Sequence, residues 1–127
     1  MFKQPLTVFD SAGQPVDTVE AWVDTGSTYT WLPRALFESL GIQPTEEREF
    51  IPSTSSGRRL ATGTREKRLV AQVRISLGGP RFYTYCAIAA PGEEILLGAV
   101  ALEEAGLAVD PVNRRLVPAS SYALTAV

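Results

Sequence analysis

The 127-residue sequence contains no histidine, only one cysteine, Cys86, and no long apolar run. The absence of histidine excludes a serine–histidine–aspartate triad and most zinc sites. A single cysteine excludes an intramolecular disulfide, and a membrane-spanning helix would need about 20 consecutive apolar residues. Chemistry must therefore come from carboxylates, hydroxyls, lysine or Cys86. Because Cys86 has no histidine to activate it and lies in an apolar run, we expect it to be a core residue.

Charge and size limit the function further. The net charge is −2, and acidic and basic residues are interspersed, so we expect no nucleic-acid partner. The length predicts a single domain covering residues 1–127. We see no phosphate-binding loop and no set of metal ligands, so we expect no cofactor and no metal. The start of the chain, Met1-Phe2-Lys3-Gln4-Pro5, lacks the apolar core of a signal peptide, which favours a cytoplasmic location without a membrane partner.

Short alternating segments dominate the chain and predict a mainly β fold. Val19, Ala21 and Val23 alternate with polar neighbours, which is typical of a strand with one buried face. Pro33 suits the first turn of a short helix that stops at Gly41, and a second helix would stop at Gly106. We expect strands at residues 6–9, 16–24, 60–77 and 82–89, helices after 33 and at 99–105, a loop at 44–57 and a hairpin at 107–118. These elements together predict a small closed β-barrel with one or two short helices.

The most informative motif is Asp24-Thr25-Gly26-Ser27, at the end of the second predicted strand. A carboxylate at a strand end, followed by a small hydroxyl residue and glycine, suits a tight loop that presents one acid in a cleft. One carboxylate is half of a two-carboxylate acid–base device, in which two close carboxylates share a proton. The chain has one such loop, so a second copy would have to supply the other acid. The alternative is that Asp24 only caps a turn.

The motif and a second element, Ile95-Leu96-Leu97-Gly98, resemble the retroviral-type aspartic proteases, and most closely their small single-domain cellular relatives. In that family an apolar-apolar-glycine run before the last helix packs beside the catalytic loop. The resemblance therefore assigns Leu96, Leu97 and Gly98 to packing of that loop. It covers roughly residues 16–118, and residues 119–127 extend beyond it as a tail or a dimer-forming strand.

The resemblance implies a retropepsin-type barrel and a two-fold homodimer that hydrolyses peptide bonds in extended protein or peptide substrates. Asp24 would be the catalytic residue, contributed once by each subunit. A hairpin would cover the cleft as a flap; its residues would be Leu60, Ala61, Thr62, Gly63 and Thr64. The alternative for these five residues is an ordinary hairpin turn. A non-catalytic peptide-binding or dimerisation module on the same fold is the competing function, since fold alone cannot separate the two.

The residues beside Asp24 have predicted supporting roles in the catalytic loop. The resemblance implies that Thr25 bonds its equivalent across the dimer axis, whereas the alternative is a bond within its own loop. Gly26 permits the tight loop. The Ser27 hydroxyl is expected to donate to the Asp24 carboxylate and favour its charged form, unless Ser27 only fills space.

Overall fold

The computed structural model describes residues 1–50 and 66–120. These residues form nine strands and two helices. In chain order they are β1 Lys3–Phe9, β2 Pro15–Val23, β3 Thr30–Pro33, α1 Arg34–Ser39, β4 Glu46–Phe50, β5 Glu66–Ser76, β6 Phe82–Ala89, β7 Leu96–Leu97, α2 Ala99–Ala105, β8 Leu107–Asp110 and β9 Arg115–Pro118. The prediction of a mainly β fold with two short helices is confirmed.

Seven of the described strands form one sheet in the order β1-β2-β7-β3-β6-β5-β4. The sheet folds back on itself, because β1 pairs with β2 along one side and with β5 along the other. In the second pairing Val8 lies opposite Ile75. Strands β8 and β9 form a separate antiparallel hairpin, which confirms the predicted closing hairpin. Complete closure into a barrel and the two-fold homodimer stay predictions.

Strand β7 is short, but it lies between β2 and β3. It runs parallel to β2, with Trp22 opposite Leu96 and Val23 opposite Leu97. It runs antiparallel to β3, where Trp31 also lies opposite Leu96. The two leucines are 1% and 0% exposed. Consequently the end of β2, which leads into Asp24, is fixed by a segment more than seventy residues away in the chain.

The core is formed by the inward faces of β1, β2, β5 and β6 and by one side of each helix. Leu6, Val8, Val73 and Ile75 are fully buried. They occupy alternate positions in their strands, as the period of two requires. Burial of such side chains contributes about 1.5–3 kcal/mol each. Cys86 is also fully buried, which confirms its predicted place in the core.

Both helices end where the sequence predicts. Helix α1 is followed by Gly41 at φ 70° and α2 by Gly106 at φ 69°, both in the left-handed region that favours glycine. The Gly106 N–H donates to the carbonyls of α2, closing its last turn. Pro33 is the last residue of β3 and occupies the position just before α1, so it precedes the first turn and is not part of it.

The predicted loop at residues 44–57 is wrong in part. Residues 46–50 form β4, an antiparallel partner of β5 in which Arg48 lies opposite Arg68. The segment is Glu-Glu-Arg-Glu-Phe, and its polarity reflects its place at the sheet edge, where charged side chains discourage further strand pairing. An edge strand needs no alternating apolar face, so periodicity did not reveal it.

Some predictions fall outside the described residues. These are the flap residues Leu60, Ala61, Thr62, Gly63 and Thr64, and most of the predicted tail or dimer strand at 119–127. At the start of that tail the Ala119 N–H donates to the Gly106 carbonyl at 2.8 Å. In the described part of the chain, no helix is both long enough and apolar enough to cross a membrane.

Candidate active site

Asp24 directly follows β2, and the residue is only 3% exposed. Its backbone N–H donates to the Leu97 carbonyl of β7 at 3.0 Å. Its Oδ1 atom accepts from the Gly26 N–H at 3.0 Å, and its carbonyl accepts from the Ser27 N–H at 3.1 Å. The carboxylate is therefore held in a tight turn, as the motif predicts. We call residues 24–30 the Asp24 loop.

The first turn of α2 is hydrogen-bonded to the Asp24 loop. The Ala99 N–H donates to the Ser27 carbonyl at 2.8 Å, and the Val100 N–H donates to the Thr28 carbonyl at 3.0 Å. Amide groups at a helix start have no partner within the helix. The loop carbonyls satisfy them, so the helix and the loop fix each other's position.

Gly98 lies where a side chain has no space. A Cβ atom there would lie 2.3 Å from the Tyr29 carbonyl oxygen and 2.9 Å from the Ser27 carbonyl oxygen. The Gly98 N–H donates to Thr30 Oγ1 at 3.2 Å. The φ of Gly98 is −94°, which any residue can adopt, so the requirement for glycine here is steric. Leu97 and Gly98 thus lie directly against the Asp24 loop.

The expected hydrogen bond from Ser27 to the Asp24 carboxylate is wrong. The Ser27 hydroxyl donates to the Tyr29 carbonyl at 2.8 Å and accepts from Trp31 Nε1 at 3.0 Å. A hydroxyl has one proton to donate, and here that proton is directed along the loop. Ser27 is 7% exposed. It therefore holds the curvature of the loop through its bond to the Tyr29 carbonyl.

Asp24 lies at the floor of an open cleft of about 590 Å³. Thr25 and Gly26 line the same cleft and are exposed. The other walls come from the start of the chain, at Met1 and Phe2, and from the hairpin of β8 and β9, at Val109, Pro111 and Arg114. The cleft is open and mostly apolar, and the carboxylate lies at its base.

Hydrogen bonds hold the walls of the cleft in place. The Phe2 carbonyl accepts from the Val23 N–H at 2.9 Å, and Arg114 donates to the Met1 carbonyl at 2.9 Å. The turn that carries Pro111 is closed by Asp110, whose carboxylate accepts from the Val112 and Asn113 backbone amides. The pKa of Asp110 is lowered, chiefly by the side-chain hydrogen bond from Asn113 and then by the backbone bond from the same residue. These bonds close the tip of the hairpin that the sequence predicts at residues 107–118.

Sequence reasoning missed several residues that bear on the loop. Thr30 is fully buried and accepts the Gly98 N–H. Trp31 is 4% exposed and donates to Ser27. A buried tryptophan needs a partner for its N–H. Ser27 lies only four residues before Trp31, and this spacing is the sequence feature that could have indicated the bond. Arg68 of β5 reaches Trp31 from outside the loop, and nothing in the local sequence indicates this contact.

Nothing in the described ranges, 1–50 and 66–120, suggests a metal centre, since no three acidic or thiol side chains there are grouped to hold an ion. Thr25 lines the cleft. Its predicted hydrogen bond is to the Thr25 of a second copy of the chain, so that bond stays a prediction. The flap residues 60–64 lie in the undescribed part of the chain.

Comparison with solved structures identifies the fold. The retroviral protease-like domain of Ddi1 from Leishmania major matches with a TM-score of 0.51 and 16% identity, covering 93% of this chain and 87% of that one. A retropepsin-like aspartic protease from Rickettsia conorii matches with a TM-score of 0.48 and 18% identity, covering 83% of both chains. Prototype foamy virus protease–reverse transcriptase matches with a TM-score of 0.48 and 19% identity over 81% of this chain, which spans only 11% of the viral chain.

Comparison with sequences identifies the family. No curated protein matches the chain. A family model described as aspartyl protease matches residues 5–101, about three quarters of the chain. The matched range includes the whole Asp24 loop, β7 and the start of α2. The chain therefore belongs to the aspartyl protease family and has the retropepsin-like fold.

Proposed function

We propose that this protein is an aspartic endopeptidase in which two Asp24 carboxylates, one from each copy of the chain, activate a water molecule. Membership of the aspartyl protease family indicates peptidase activity. The observation that carries the finer proposal is the position of Asp24 at the floor of an open cleft. The loop around it is fixed by β7 and α2. Asp24 is the proposed catalytic residue, and Thr25, Gly26 and Ser27 support it.

The proposed chemistry uses one ionised and one protonated carboxyl group. The ionised Asp24 takes a proton from water, and the water oxygen bonds to the carbonyl carbon of the substrate. The protonated Asp24 of the other copy gives its proton to the carbonyl oxygen, which forms a tetrahedral diol. When the C–N bond breaks, the amide nitrogen takes a proton from one carboxyl group and the second hydroxyl loses its proton to the other. The pair returns to its starting charge without a covalent intermediate.

A second copy is required because the sequence has only one Asp-Thr-Gly motif. Like charges at close range cannot both ionise easily, so a pair of carboxylates holds the shared proton that the reaction needs. The exposure of Thr25 and Gly26 supports a second loop against this face. In the proposed homodimer the two Thr25 residues bond across the axis, and Leu96, Leu97 and Gly98 pack beneath each loop.

The proposed substrate is a peptide or protein segment in an extended conformation, bound in the cleft between the copies. Main-chain hydrogen bonds would provide affinity and side-chain contacts would provide selectivity. The flap over it is proposed at Leu60, Ala61, Thr62, Gly63 and Thr64. We also propose that residues 1–127 form one domain, with residues 119–127 as a tail or as a strand of the dimer.

Substitution of the acid tests the proposal. Asp24→Asn removes both acids of the dimer, so cleavage of a fluorogenic peptide library should fall to background. Sedimentation should still show a dimer, because the change also removes carboxylate repulsion. Asp17→Asn, an exposed carboxylate on β2 in the same chain, is the matched control and should cleave at the wild-type rate.

The same experiment decides between the enzyme and a non-catalytic module. If wild-type dimers bind peptides from the library but cleave none, the chain is a peptide-binding or dimerisation module. Cleavage by Asp24→Asn at the wild-type rate would refute the aspartic mechanism.

A further inference from the structure

Arg68 of β5 is a largely buried cation in a dense cluster of contacts. Its side chain is 15% exposed, and that of its partner Glu93 is 14% exposed. The guanidinium donates to both oxygens of Glu93, at 3.0 and 3.3 Å, and to the Ile88 carbonyl at 3.3 Å. It also binds Glu66. A planar guanidinium bound to a carboxylate in this two-bond manner has a fixed orientation.

The same guanidinium lies over the ring of Trp31, 5.2 Å from its centre. Trp31 is 4% exposed, and its Nε1 donates to Ser27 Oγ at 3.0 Å. Ser27 in turn donates to the Tyr29 carbonyl and accepts the Ala99 N–H through its own carbonyl. A continuous series of contacts thus connects Arg68 to the Asp24 loop.

A second series of contacts passes through Glu93. Besides binding Arg68, Glu93 accepts the Ala90 N–H and closes the turn before β7. That turn leads into Ile95, whose carbonyl accepts the Trp22 N–H at 3.0 Å, and into Leu97, whose carbonyl accepts the Asp24 N–H at 3.0 Å. Arg68 is therefore connected to Ser27 through Trp31, and to the segment that binds the Asp24 amide through Glu93.

We infer that Arg68 is a positioning residue for the reaction: with Glu93 it fixes Trp31 and the turn before β7, and so sets the position of Asp24. This rests on the proposed function. One side chain, held by carboxylates, contacts both Trp31, which bonds Ser27, and Glu93, which closes the turn before β7. Small displacements of a catalytic group cost up to about 100-fold in rate, so loss of this contact should be visible in kcat.

A paired substitution separates positioning from stability. Arg68→Met keeps the length of the side chain but leaves Glu93 buried without its cation, which destabilises the fold. Adding Glu93→Gln removes that charge and keeps an oxygen for the Ala90 N–H, so the midpoint of urea unfolding should return towards wild type. The kcat of the double variant should nevertheless remain about 10-fold to 100-fold below wild type, with KM changed by less than about threefold.

Arg74→Met is the matched control. Arg74 is also on β5 and lies over an aromatic ring, that of Tyr83, 5.6 Å from its centre, but neither residue belongs to the Asp24 loop or to the two series of contacts that lead to it. This variant should keep the wild-type kcat. If the kcat of the double variant recovers together with its stability, Arg68 has only a structural role and the inference is overturned.

Amide hydrogen exchange provides a readout that does not need catalysis. In Arg68→Met/Glu93→Gln the amides of Asp24 and Ser27 should exchange faster than in wild type and in Arg74→Met. Unchanged exchange at both amides would overturn the inference whatever the activity. If instead Asp24→Asn cleaves as wild type does, the proposed function fails, and the exchange data still decide whether Arg68 fixes the loop.

Discussion

At the scale of single residues, the position of the Asp24 carboxylate is set by the hydrogen bonds around the Asp-Thr-Gly-Ser motif. Asp24 is one of many acids in the chain, but its amide binds Leu97 and its carboxylate binds Gly26. The sequence predicts that the Ser27 hydroxyl donates to the Asp24 carboxylate, but it donates to the Tyr29 carbonyl within the loop. Sequence identifies these residues because their types and order are informative. It could not assign the Ser27 proton, because the competing acceptor, the Tyr29 carbonyl, is a backbone group that the fold brings into reach.

The first prediction at this scale concerns Ser27. Ser27→Ala removes the hydroxyl that accepts from the Trp31 N–H and donates to the Tyr29 carbonyl, so two hydrogen bonds of the loop are lost. Leaving one buried polar group unsatisfied costs about 1–3 kcal/mol, and urea unfolding should show a loss of that size. Ser39→Ala, which removes an exposed hydroxyl bonded to the Ala35 carbonyl of α1, should cost less than about 0.5 kcal/mol. Equal stability of the two variants would contradict the role assigned to Ser27.

The second prediction concerns Cys86. Burial raises the pKa of its thiol well above the usual range, and the thiolate is the reactive form. The native protein at pH 8 should therefore resist Ellman's reagent over hours, and should react rapidly once it is unfolded in urea. Fast reaction of the folded protein would place Cys86 outside the core.

At the scale of elements, the parts that sequence predicts are those whose pattern is local. Strands β1 and β2 alternate, α2 ends at Gly106, and Asp110 begins a turn, so each is visible in a short window. Strands β7 and β4 are not visible in a short window of sequence. The pair Leu96 and Leu97 is a strand only because β2 and β3 lie on either side of it, and β4 is polar because it is an edge. The support of the Asp24 loop by β7 and α2 is a property of the assembled sheet.

The prediction at this scale concerns the contact between α2 and the Asp24 loop. Gly98→Ala places a methyl group 2.3 Å from the Tyr29 carbonyl oxygen, so either the helix or the loop must move. Overpacking against backbone should cost about 3 kcal/mol or more, measured by urea unfolding.

Gly79→Ala is the matched control for that contact, since among the described residues no atom beyond its two chain neighbours lies within 4 Å of the added carbon. It should be close to neutral. If Gly98→Ala is equally neutral and keeps full peptidase activity, the tight packing described for this glycine is wrong.

At the scale of the whole molecule, the chain has half of the proposed catalytic device. The start of the chain, the hairpin of β8 and β9, and the Asp24 loop surround one open cleft. If the active site is assembled from two copies, activity depends on both, and one defective copy in a dimer destroys the site. A site contained in a single copy would not have this property.

Mixing wild-type and Asp24→Asn chains tests this most directly. Equal amounts are unfolded together, refolded to randomise the pairs, and assayed on one peptide at a concentration where dimers predominate. In a two-fold dimer that needs an acid from each copy, only wild-type pairs are active, so activity should fall to about a quarter of that of the unmixed wild type at the same total concentration. Across mixing ratios it should follow the square of the wild-type fraction. A linear fall, with about half of the activity left at equal mixing, would contradict the two-copy active site.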